Sequence, residues 1–175
     1  MFRAGLKHSL VDSKWPAFEE VFYRFDPEKS RADGRRSSGT PDAGRTHHSS
    51  PGQALKSVPR NAQLILDIEQ EHGSFGTFIA QWPVDNITGL WQYLAKHGNQ
   101  MGGLSSPRFL RMIGKDTFIP TWDVVAALNA QDIVDKVPTS KRDQAIVQDV
   151  FNQWHAESGR PMCQLSAMLA FTVNH

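Results

Sequence analysis

The sequence predicts an all-α fold, and three observations carry the expectation. Apolar residues recur at three- and four-residue spacing along most of the chain, and period-2 alternation appears nowhere. Residues 28–53 hold no large aliphatic or aromatic side chain, so a long irregular segment is expected at about 28–58 instead of a further element. The spacing gives about eight helices, packed as a helical bundle.

Taken in order, Trp15, Phe18, Val21, Phe22 and Phe25 form the first stripe, with Asp12 and Ser13 as caps and Pro16 in the first turn. Leu64, Ile65 and Ile68 mark a helix that should end at Gly73. Phe75, Phe78, Ile79 and Trp82 mark a short one stopped by Pro83. Ile87, Leu90, Trp91 and Leu94 follow, with Asp85 as the expected N-cap. Ile146, Val147, Val150, Phe151 and Trp154 give the clearest stripe, entered through Thr139-Ser140 and closed by Gly159. Leu165, Met168, Leu169 and Phe171 belong to the last helix.

Composition narrows the function classes. With 175 residues, 39% hydrophobic and 21% charged, the chain reads as one soluble domain spanning 1–175 that can bury a core without staples. Lys+Arg is 19 against Asp+Glu 18, so any polyanion must be met by a local patch. The single cysteine, Cys163, excludes a disulfide framework and a cysteine-based zinc or iron–sulfur site. No apolar run approaches the ~20 residues of a membrane span, and Met1 to Leu10 lacks the apolar core of a signal peptide. The expectation is a cytoplasmic protein with no membrane partner.

Chemistry concentrates between 90 and 128. A helix from Leu90 to His97 leads into the turn Gly98-Asn-Gln-Met-Gly-Gly103, and a second helix opens at Leu104-Ser-Ser-Pro-Arg. A hairpin of this kind points the free N–H groups of its second helix outward, where they and the helix dipole suit a DNA phosphate. Gly98, Gly102 and Gly103 allow close backbone approach, Ser105 and Ser106 add hydroxyl donors, and Arg108, Arg111 and Lys115 add positive charge. The alternative is an αα-hairpin whose glycines serve the turn alone. Further on, Phe118-Ile-Pro-Thr-Trp-Asp123-Val-Val-Ala-Ala-Leu128 sets one acid at the head of an apolar helix. Taken by itself, Asp123 reads as an N-cap.

Gly98 through Leu128 resembles the helix–hairpin–helix and following aspartate of the DNA glycosylase superfamily. With Gly103 on the second glycine of that family's turn, Asp123 falls on its acid without a gap. The wider chain is similar to the DNA-3-methyladenine glycosylase I branch at Phe2-Arg-Ala-Gly-Leu6, Trp15-Pro-Ala-Phe-Glu-Glu20, Phe25-Asp-Pro27, Asn61-Ala62 and Phe75-Gly-Thr-Phe78. Met101 departs from the pattern at the turn's first glycine. Ser105 stands where bifunctional members carry a Schiff-base lysine, so no strand-nicking activity is expected. The branch's zinc-binding cysteines are missing, and neither metal nor cofactor is expected.

The resemblance implies a monomeric, monofunctional base-excision repair enzyme of the bacterial cytosol or nucleoid. Its substrate would be double-stranded DNA carrying an alkylated purine such as 3-methyladenine, and Asp123 its catalytic residue. His8 and Trp122 would line the base pocket. The resemblance also implies that several dozen residues precede Met1 in the complete pattern, so the chain is read as truncated at its N-terminus. Read one base later, codons permitted for Asp33 to Ala54 can spell MDDEARERLMQDARIIRHRGK, a helix-forming string that fits the branch's pattern, so about 29–54 is read as frame-shifted. The exchange of such a helix for a polar loop carries the expectation of a weakly stable, inactive product. Two other readings stand beside the enzyme. One is a non-enzymatic helix–hairpin–helix DNA-binding module in which Asp123 only caps a helix. The other is a helical interaction domain with no nucleic-acid role, in keeping with the near-neutral charge.

Overall fold

A computed structural model describes residues 8–32 and 51–173, without the side chains of His8, Leu10 and 51–55. Those residues form ten α-helices, and among them no strand occurs. The chain divides into two compact units, one of residues up to Ile79 together with His97–Gln100, the other of Ala80–Lys96 and Met101 onward.

The first unit contains α1 (His8–Ser13), α2 (Trp15–Val21), α3 (Pro27–Ala32), α4 (Pro51–His72) and the start of α5 (Phe75–Gln81). The first expected stripe is therefore broken twice. Lys14, not Asp12 or Ser13, stands at the N-cap of α2, and it makes no side-chain cap bond. Phe22 ends α2, and Tyr23, Arg24 and Phe25 follow with φ of 52°, 56° and 60°. Three successive left-handed residues with side chains are costly, at about 1–2 kcal/mol each, and packing offsets that cost. Phe25 lies 5.9 Å from Phe22 and 5.3 Å from Trp15 between ring centroids. Val11, Phe22 and Val58 form a small buried core against which Phe18 and Phe25 pack.

The irregular segment expected at 28–58 is helical at both described ends, while 33–50 and the frame-change reading there lie outside the described residues. The composition of the segment hides two local causes. Asp26 accepts the Lys29 N–H at 3.3 Å and Pro27 fills the first helical position, which together start α3. Ser30 is buried and donates its hydroxyl to the Phe22 carbonyl at 2.9 Å, so α3 needs no large apolar residue to dock. α3 packs along α4, whose Ser57 and Val58 are buried. Pro59 sits inside α4, where it has no N–H to donate. As expected, α4 ends before Gly73, and the Ser74 hydroxyl then caps α5 by accepting from the Thr77 N–H at 2.9 Å.

The second unit carries α6 (Ile87–His97, up to Lys96), α7 (Ser105–Met112), α8 (Trp122–Asn129), α9 (Lys141–Ser158) and α10 (Met162–Phe171). Ile87, Leu90, Leu110, Phe118, Leu128, Val147, Phe151 and Met162 are fully buried. Phe118 is the pivot of this core: it stacks on Phe151 at 4.2 Å and meets the edge of Trp91 at 4.7 Å. α10 packs on α8 and α9. α9 is bounded as its sequence implies, with Ser140 Oγ accepting from the Asp143 N–H at 3.0 Å and Gly159 at φ 66°. That left-handed position is one glycine takes at no steric cost.

Asp85 does not cap α6, contrary to expectation, because it lies inside a 3₁₀ turn over Val84–Asn86. The capping comes from α9. Gln148, buried, accepts the Thr88 N–H at 2.9 Å through Oε1, and Asn152 donates to the Asp85 carbonyl at 2.8 Å.

Candidate DNA-gripping turn and acid

The turn after α6 is shaped by two left-handed residues, Gln100 at φ 60° and Gly103 at φ 56°. Gly102 and Gly103 are exposed, and a Cβ added at either would meet nothing within 4 Å. A backbone this bare admits close approach by a phosphate. Gly98 is half-buried at the start of the turn. Met101 is buried, and its carbonyl accepts the Ser106 hydroxyl at 2.5 Å.

That bond corrects one expectation. Ser106 is 1% exposed and its hydroxyl is turned into the turn, so it offers no donor to a phosphate. Ser105 sends its N–H back to the Gly102 carbonyl at 3.1 Å and remains half-buried. Of the three cations, Arg108 alone is exposed. Arg111 donates Nη2 to the Thr117 carbonyl at 2.6 Å, and Lys115 donates Nζ to the carbonyls of Ala80 and Trp82 at 2.9 Å and 2.5 Å. Burial pushes the Lys115 ammonium below the usual lysine range, partly opposed by the Asp116 carboxylate beside it. Both groups brace the fold where the sequence suggested phosphate contacts.

Asp123 stands at the second position of α8, half-buried. The expectation that it is the N-cap is corrected: Thr121 holds that position, with extended backbone and its side-chain oxygen accepting from the Val124 N–H at 3.4 Å. An acid in the first turn still lies at the positive end of the helix dipole. Trp122, at the first position of α8, is 80% exposed, so its indole presents a face to solvent. His8 opens α1, and its side chain lies outside the described residues, as does the Phe2 to Leu6 motif.

Two side-chain clamps here carry no local signal in the sequence. Asp116 accepts the N–H groups of Met162 at 2.9 Å and Cys163 at 2.8 Å. Asn61 accepts the Asn99 N–H at 2.7 Å and donates to the Asn99 carbonyl at 3.0 Å. In the sequence Asn61 stands out only within the motif Asn61-Ala62, and no local signal ties it to Asn99.

Among the described residues, no group of three His, Cys, Asp or Glu side chains is placed to hold a metal ion, and no helix is long and apolar enough to cross a membrane. Compared with known proteins, the chain matches no family model, no curated protein and no solved structure.

Proposed function

We propose that this chain is a monofunctional DNA glycosylase, hydrolysing the N-glycosidic bond of an alkylated purine such as 3-methyladenine; this reading sets aside the inactive product that the frame-change reading carries. The observation that carries the reading is the standing of Asp123. Asp123 stands in the first turn of α8, at the positive end of its dipole, a half-buried carboxylate one residue after the exposed Trp122 indole, while Thr121 holds the cap position. Support also comes from the exposed Gly102–Gly103 backbone with Arg108 nearby in sequence.

In this reading the turn and Arg108 hold the phosphates while the damaged nucleotide leaves the stack. Asp123, ionised, stabilises the positive charge that develops on the sugar and orients a water toward C1′. The water oxygen forms the new C1′–O bond as the C1′–N bond breaks, the electron pair of that bond leaves with the purine, and the water's proton passes to the Asp123 carboxylate and from there to solvent. An N-alkylated purine departs as a neutral base because it began as a cation, so no strong general acid is needed. Ser105 offers no amine, and the reaction therefore stops at an abasic site.

Incubation with alkylated duplex DNA tests the reading through release of free 3-methyladenine. A second reading, a DNA-binding module without catalysis, is favoured by the 80% exposure of Trp122, which leaves that indole outside any enclosed base pocket. Asp123→Asn separates them, since it should abolish base release in an enzyme and leave DNA binding intact in both.

A further inference from the structure

We infer that Asn61 is a positioning residue for the turn, fixing its backbone before DNA arrives. The inference rests on the DNA-gripping reading of that turn. Asn61 lies on α4, a 22-residue helix, and its amide makes two bonds to one peptide backbone: Oδ1 accepts from the Asn99 N–H at 2.7 Å, and Nδ2 donates to the Asn99 carbonyl at 3.0 Å. Two bonds from one planar amide fix the orientation of residue 99 as well as its place.

The next residue shows why such a clamp is needed. Gln100 holds φ at 60°, a conformation that residues with a Cβ adopt only where their surroundings impose it. On its other side, the Met101 carbonyl is held by the Ser106 hydroxyl. Gln100 is thus flanked in sequence by two residues whose backbone groups are pinned by side chains. A turn held this way loses little freedom on gripping a phosphate, so ordering it does not subtract from affinity. If Asn61 is removed, Gln100 is free to relax toward negative φ.

The test compares Asn61→Ala, the double variant Asn61→Ala/Gln100→Gly, and Gln63→Ala, a control on the same helix whose side chain bonds Asp67. Asn61→Ala should raise the dissociation constant for duplex DNA about tenfold, hold the rate of base release at saturating DNA, and speed hydrogen exchange at the Asn99 amide. Glycine reaches φ near 60° without a Cβ clash, so adding Gln100→Gly should recover part of the lost affinity. Gln63→Ala should match the parent. If the parent binds DNA and Asn61→Ala binds equally well, or if Gln100→Gly recovers nothing, Asn61 has no positioning role and the proposed function stands. If the parent shows no salt-sensitive DNA binding, the gripping reading falls and this inference with it, whatever the exchange rate at Asn99. Should Asn61→Ala fail to fold, Asn61→Ser decides: its shorter side chain cannot make both bonds to Asn99, so it should weaken DNA binding by at least about threefold, and binding equal to the parent overturns the inference.

Discussion

Asp116 caps α10 from 46 residues away, its two carboxylate oxygens taking the N–H groups of Met162 and Cys163. Pro161 stands at the N-cap of that helix and makes no side-chain cap bond, so the carboxylate supplies what the local sequence lacks. Replacing Asp116 with alanine leaves both donors unmet and should cost about 2 kcal/mol. Urea denaturation should show the midpoint fall at unchanged slope.

Phe118 carries a larger share of the second unit. It is fully buried between Trp91 and Phe151. Phe118→Ala should destabilise by about 3–5 kcal/mol, because the neighbours cannot close over the missing ring. Circular dichroism should show a lower melting temperature with helix content retained at low temperature.

The cap of α3 should respond to acid. The Lys29 backbone N–H lowers the Asp26 carboxyl below its ordinary value of 3.8, against a smaller opposing effect of desolvation, and the Lys29 side chain lowers it further. A folded value below the unfolded one means that the stabilisation is complete above pH 3.8 and is lost as pH falls through the lower folded value. The stability difference between the parent and Asp26→Asn should therefore shrink as pH drops from 5 to 2, as read by denaturation at stepped pH. A difference that stays constant would contradict the cap.

Cys163 should be a slow thiol. Burial first, then the Asp116 carboxylate, push its pKa above the ordinary 9.0, against smaller opposing effects of Arg111 and the Gln164 backbone. Thiolate is then scarce at neutral pH, so alkylation by iodoacetamide should be slower than for a free cysteine and should climb only as pH rises past 9. Alkylation as fast as in an unfolded control would contradict it.

Local signals made much of the fold legible. The Ser140 and Gly159 boundaries of α9 and the stop of α4 at Gly73 follow from single residues whose chemistry acts within one turn. Where two residues competed for one role, the pattern misled: Thr121 and Asp123 can both cap, and the hydroxyl takes the position. The segment 28–58 misled for a different reason, since α3 docks through a serine hydroxyl and a proline start that a composition reading cannot weigh. Asn61 with Asn99, Gln148 with Thr88 and Asp116 with Met162 were illegible because each joins residues dozens of positions apart. Ser106, Arg111 and Lys115 carry groups suited to phosphate, yet the fold turns all three onto its own carbonyls.

The central claim is that the carboxylate at 123 performs chemistry on DNA. The most direct measurement is the release of free 3-methyladenine from methylated duplex DNA by the parent chain and by Asp123→Asn, with DNA binding followed in parallel across a salt series. The account predicts release by the parent, none by the variant, and the same salt-weakened binding by both. Equal release by the two proteins, or binding without release by the parent, would contradict it.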